Sequence, residues 1–267
     1  FKHSILINLH ARMQSLSSLR RLPISVGRNY GRVQRVATHM TAMDYSTTPV
    51  LQLPRQANPY PPGTVVEGEF TKKKWTGKGK VVHTSGQKLE GLFKDGMLMR
   101  GKITFPNGDT YEGELRRNKP HGRGKSTSIF EGEAFEYDGE WVDGEKHGYG
   151  VQTEPDGVYS GNFTNNMQSG HGKFTFNSGT VKDIEGKIVN GNWVGEITMT
   201  TTDGNVYIGE LLDNFVMHGK GKLLDQNGAL YYEGEFKHGK MHGEGKMNVY
   251  GTMRDVMFED GNLTALR

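Results

Sequence analysis

The chain has 267 residues, with 33 Lys and Arg against 30 Asp and Glu, 38 glycines and no cysteine. The lack of cysteine excludes a disulfide framework, a thiolate zinc site and a cysteine nucleophile, and no apolar run approaches the ~18 residues of a membrane-spanning helix. The formal net charge of +3 comes from one end: residues 1–43 carry Lys2, Arg12, Arg20, Arg21, Arg28, Arg32 and Arg35 and no acid, which leaves 26 bases against 30 acids in the rest.

That basic segment is the first predicted element. Leu6, Leu9, Met13 and Leu16 fall on one stripe of a helix, with Ser15, Ser18 and Arg21 elsewhere around it, so a partly helical arm is expected. An Arg-rich, Ser-containing, acid-free amphipathic segment has the composition of a mitochondrial transit peptide. The same charge suits a tail that docks on an acidic partner or makes weak contact with anionic lipid. It holds Tyr30 but lacks the interleaved aromatics that stack on bases, which argues against RNA and DNA. Residues 44–64 follow with Pro49, Pro54, Pro59, Pro61 and Pro62, five of the nine prolines, and read as an extended linker.

From residue 65 to 249 one phrase recurs. It runs Tyr-Glu-Gly-Glu-Phe, a short polar stretch, then His-Gly-x-Gly. Tyr111–Leu115 is followed by His121-Gly122-Arg123-Gly124, and Tyr137–Trp141 by His147-Gly148-Tyr149-Gly150. Tyr159–Phe163 leads to Ser169-Gly170-His171-Gly172, Tyr207–Leu211 to His218-Gly219-Lys220-Gly221, and Tyr232–Phe236 to His242-Gly243-Glu244-Gly245. Three copies are degenerate: Val66–Phe70 with Gly77 and Gly79, Leu89–Phe93 with Gly101, and Ile184–Ile188 with Gly195. In the last two, Ile103 and Ile197 are taken to occupy the second glycine's slot. The first glycine of each copy falls at Gly68, Gly91, Gly113, Gly139, Gly161, Gly186, Gly209 and Gly234, a mean step of about 23.7 residues.

Tyr-x-Gly-x-Phe alternates with the period of a strand. With a turn and a second short strand, each unit reads as a β-hairpin. Glycine inside a strand weakens it unless a close neighbour needs the space, and that neighbour is expected to be the aromatic of the next hairpin. The predicted fold is all-β: an elongated single-layer antiparallel sheet of about eight stacked hairpins over residues 65–249. Tyr111, Tyr137, Trp141, Tyr159, Phe163, Tyr207, Tyr232 and Phe236 are expected to build its core or a concave partner face. Residues 250–267 should cap the last repeat with a closing strand, since a bare terminal edge invites pairing.

These tandem phrases resemble the MORN (membrane occupation and recognition nexus) repeat. The resemblance covers about two-thirds of the chain, and it implies one hairpin per repeat and a scaffolding or interaction role.

Catalytic and metal chemistry find no footing. Gly124-Lys125-Ser126 resembles the end of a phosphate-binding loop, but Lys119 stands where that loop needs a glycine. Equivalent histidines (His121, His147, His218, His242) lie two strands apart, roughly 9–10 Å, too far to share a zinc ion with ~2 Å bonds. Hydrogen bonds to turns are the better role. The Glu112/Glu114 and Glu233/Glu235 pairs recur with the repeat, whereas a catalytic pair is singular and pocketed. The sequence therefore points to a scaffold without catalysis or cofactor, an accessory subunit of a large, mitochondrial multiprotein complex in the matrix or on the matrix side of the inner membrane. Its expected partners are protein subunits, with end-to-end homodimerisation through the terminal repeats as a second route. The alternatives are a ciliary or cytoskeletal linker and a phospholipid-binding membrane-contact module.

Overall fold

The computed structural model describes residues 62–68, 76–212 and 215–267. The basic arm, with Arg12, Arg20, Arg21, Arg28, Arg32 and Arg35, and nearly all of the proline linker lie outside the described residues. Within them there is no α-helix, and 18 strands form one antiparallel sheet.

Two compact units divide the described residues. The first spans 62–68, 76–155 and 160–168. It contains β1 (Val65–Gly68), β2 (Gly77–Val82), β3 (Lys88–Lys94), β4 (Met97–Thr104), β5 (Thr110–Arg116), β6 (Lys119–Phe130), β7 (Glu133–Val142) and β8 (Glu145–Glu154). Each from β1 to β7 pairs antiparallel with its successor. β9 (Gly157–Thr164) has residues in both units. The second unit spans 156–159, 169–212 and 215–267. It holds most of β10 (Met167–Phe176), then β11 (Val181–Val189), β12 (Asn192–Thr201), β13 (Val206–Leu212), β14 (Val216–Leu224), β15 (Leu230–Lys237), β16 (Lys240–Val249), β17 (Thr252–Glu259) and β18 (Asn262–Leu266), again a simple meander.

The turns inside the repeats are tighter than the sequence suggested. Two residues suffice, both with positive φ: Arg117-Asn118 (53° and 61°), Asp143-Gly144 (51° and 95°) and Asn165-Asn166 (49° and 69°). That is the type I′ geometry, whose twist matches the flanking strands. Each such turn is tied to the hairpin before it. The Gly144 amide donates to the Pro120 carbonyl at 2.9 Å, and Asn166 clasps Lys146 twice, through its own amide (3.1 Å) and through Oδ1 accepting from the Lys146 amide (2.9 Å). In the second unit, Gly239 and Gly261 donate in the same way to Met217 and Met241.

The two glycines of His-Gly-x-Gly have different causes. The first sits in a bulge: Glu140 pairs with His147 while Gly139 pairs with Gly150, so Gly148 and Tyr149 are extra, and Gly148 has φ of 56°. A side chain there would be strained in the left-handed region. The second glycine joins a row that crosses the strands. In the first unit Gly68, Gly79, Gly91, Gly101, Gly113, Gly124, Gly139 and Gly150 pair in succession. Gly101 is thus the partner of Gly91, in the second glycine's slot. The sequence alone puts Ile103 there; the cause of the difference is that the bulge of β4 holds one extra residue, Met99, where that of β8 holds two, so Gly101 takes the second glycine's slot and the first glycine is missing. Ile103 instead pairs with Tyr111.

Candidate functional site

The tyrosine of each good repeat explains the glycine row. A Cβ on Gly139 would lie 2.5 Å from Tyr137 Oη, and one on Gly150 2.6 Å from Tyr137 Cζ. The ring therefore lies flat over its own hairpin's glycine pair, not over that of its neighbour as expected from sequence. Its hydroxyl donates to the Glu140 carbonyl at 2.9 Å. Tyr111, Tyr207 and Tyr232 donate to Glu114, Glu210 and Glu235 in the same way, at 2.6, 2.8 and 3.2 Å. Burial pushes the Tyr232 hydroxyl up to about 12, and the other three still further from the ordinary value.

The next hairpin's fifth residue meets the exposed edge of that ring. Trp141 stands edge-on to Tyr111 and Tyr137 at 5.3 and 5.1 Å, and Phe163 to Tyr137 at 4.9 Å. In the second unit Phe236 lies between Tyr207 and Tyr232, and Phe258 of β17 closes the series against Tyr232 at 5.6 Å. Such T-shaped pairs add ~0.5–1.5 kcal/mol beyond their buried area. Tyr111, Tyr137, Trp141, Tyr159, Phe163, Tyr207, Tyr232 and Phe236 are all buried, none more than 3% exposed. They fill the core and present no open groove.

One hairpin departs from this pattern in a way that sequence reasoning missed. The second residue after the turn is apolar in five other copies (Leu98, Pro120, Trp193, Met217, Met241), but in β8 it is Lys146, 2% exposed. Its Nζ donates to Gln152 Oε1 at 2.7 Å and lies 4.9 Å from the Tyr137 ring centroid. Gln152 in turn donates to Glu154. Desolvation pulls the Lys146 ammonium down to about 7, partly opposed by the Glu154 carboxylate. A charged residue in a slot that is apolar in five other copies was the available signal, visible once the repeats are aligned on their turns.

The outward face carries the exposed chemistry. The residues before and after each glycine of the row point away from the tyrosines, in two tracks. Along one, register pairs Lys80 with Glu90, Glu90 with Lys102, Lys102 with Glu112, Glu112 with Lys125, and Lys125 with Asp138. Signs alternate at every strand until Val151, which pairs with Asp138. The second track holds Arg100, Glu114, Arg123 and Glu140, and Tyr149, 56% exposed, lies at its end on β8. A shallow groove of about 660 Å³ runs over Gly101, Gly113 and Gly124 between the tracks. His121 and His242 serve the turns: their Nδ1 atoms accept from the amides of Asp143 and Asp260 in the following hairpins, at 3.4 and 3.3 Å. Among the described residues no cluster of three or more His, Asp and Glu has metal-holding geometry.

The family model for the MORN repeat matches six segments: 90–110, 111–128, 137–158, 159–181, 207–230 and 232–248. This chain is a MORN-repeat protein. Its relatives include alsin of Homo sapiens and of Mus musculus, each 32% identical over 151 residues, which cover 53% of this chain and 9% of alsin. MORN repeat-containing protein 3 of Xenopus laevis is 33% identical over 81 residues, 28% of this chain and 33% of that protein. The chain thus spans a small part of the curated relatives it matches. The degenerate copies at Val66 and Ile184 fall outside the six segments, yet Val66–Gly68 and Ile184–Ile188 lie in strands of the sheet.

Proposed function

We propose that this MORN-repeat protein is a non-catalytic scaffold, an accessory structural subunit of a large multiprotein complex. It joins its neighbours through the outward face of the sheet and through the basic arm. The observation that carries this reading is the division of the repeat into a filled aromatic core and an exposed, periodic, charged surface. A periodic surface offers many equivalent contacts, as a scaffold needs, where an enzyme needs one singular pocket. The alternating signs also favour a protein over an anionic membrane, which attracts clustered bases.

The arm's acid-free, Arg-rich composition supports a mitochondrial setting, in the matrix or on the matrix side of the inner membrane. Native gel electrophoresis of purified mitochondria, with this chain located by mass spectrometry, tests both parts. Co-migration with a large assembly is expected. Absence from mitochondria, or migration as a free species of its own mass, would favour the ciliary linker; recovery on anionic vesicles in low salt would favour the lipid module.

A further inference from the structure

The outward groove has a chemistry more specific than general polarity. From β4 to β7 each strand contributes two like charges astride its glycine: Arg100 and Lys102, Glu112 and Glu114, Arg123 and Lys125, Asp138 and Glu140. All eight are exposed. On β8 the charges give way to Tyr149 and Val151, 56% and 36% exposed. If these charges served only to pair the strands, they would be engaged with one another. Among the described residues, Arg100, Lys102, Glu112 and Arg123 instead form no ion pair within 4 Å, and Lys125 turns aside to Glu136 at 2.7 Å.

Spacing selects the kind of partner. Neighbouring strands are about 4.8 Å apart, so the sign changes every ~4.8 Å along the groove. One turn of an α-helix advances ~5.4 Å, and tilting its axis by about 25–30° brings successive turns onto successive strands. An extended strand offers same-face residues every ~6.6–6.8 Å and would need about 45° of tilt to match. We infer that the groove over β4–β7, with Tyr149 and Val151 of β8 beyond its end, is a docking track for an α-helix of a partner protein, one that presents acid, base, acid and base on successive turns and then an apolar residue to Tyr149 and Val151. At that tilt four turns, about 14 helical residues, cover the ~19 Å from β4 to β8. The apolar end fixes the phase, since a slip by one strand would place every charge against its like. The inference deepens the scaffold reading, on which it rests, by naming what the outward face reads.

The test uses the full chain and two labelled helical peptides of identical composition. In one, acidic and basic turns alternate and end in Leu; in the other, acids and bases are segregated into two blocks. Fluorescence anisotropy should show the alternating peptide binding at least tenfold tighter. Lys102→Glu/Lys125→Glu should remove that preference, and Tyr149→Ser should weaken the Leu-ended peptide at least fivefold. Equal binding of the two peptides overturns the inference, as does binding of phosphatidylserine vesicles by a chain that binds neither peptide. Native gels separate the two readings. If the chain assembles but the alternating peptide does not bind, the helix track fails and the scaffold stands. If the peptide binds but the chain joins no assembly, the track stands and the scaffold reading falls.

Discussion

The hairpin β7–β8 and the hairpin β11–β12 solve one packing problem in opposite ways. In the first, Tyr137 lies over Gly139 and Gly150, and the space above the glycine pair is filled from Tyr137's own strand. In the second, Ile184 replaces the tyrosine and Ile197 replaces the second glycine; a Cβ on Gly186 would lie 2.6 Å from Ile197 Cδ1. There the same space is filled from the opposite strand. The repeat therefore requires a filled volume above the row and not a tyrosine as such. The contrast extends to the slots around it: Lys146, Gln152 and Glu154 in β8 stand where β12 has Trp193, Met199 and Thr201. One hairpin has a polar strip inside its core, and the other is almost wholly apolar there.

Breaking the first solution should have the largest effect. Gly150→Ile collides with the Tyr137 ring and should cost about 3–5 kcal/mol, in the range of severe core damage. Adding Tyr137→Ile transplants the β11–β12 solution and should recover at least half of that loss; chemical denaturation of the single and double variants measures the coupling directly. Gly139→Val meets both the Tyr137 hydroxyl and, at 2.6 Å, the Gly150 backbone. It should lower the melting temperature more than Gly186→Val, whose nearest neighbour is the end of an isoleucine side chain. An equal drop in the two would undo the comparison.

The polar strip sets a pH dependence of intermediate size. Lys146 is near 7 in the fold and at its ordinary 10.5 when unfolded. Between those values the unfolded chain binds more protons, so stability rises with pH across that window and has no contribution from this group to its slope below it. Each unit of separation corresponds to about 1.4 kcal/mol, so the rise should reach a few kcal/mol at most. Lys146→Met, the residue found at Met217 and Met241, should flatten the rise in unfolding curves taken from pH 6.5 to 10 against wild type. Smallest is the effect of the outward charges on folding. Lys102→Gln/Lys125→Gln removes one exposed ion pair without setting like charges on adjacent strands, and should change stability by less than ~1 kcal/mol.

Much of this was legible in the sequence. The 23.7-residue period, the strand alternation of Tyr137-Asp138-Gly139-Glu140-Trp141 and the core role of the aromatics follow from residue spacing alone. The place of Gly101 did not, because a bulge residue present in β6 and β8 is absent from β4, and nothing local marks its loss. The charge tracks were hidden for a related reason. Lys102, Glu112 and Lys125 become neighbours only once the turns fix the register, and antiparallel pairing reverses the order of every second strand. Lys146 was visible as a charged residue beside a turn, but its burial depends on Tyr137 and Phe163 closing over it from other strands.

An inner face holds the fold, and an outer face binds. The measurement that tests this most directly compares two tagged variants in cells of the source organism, Lys102→Gln/Lys125→Gln and Tyr137→Ile/Gly150→Ile, by melting temperature and by position on a native gel. The first should melt like wild type and drop out of the assembly, while the second should melt lower and remain in it at permissive temperature. A charge-neutralised chain that still assembles fully would contradict the division of labour between the two faces.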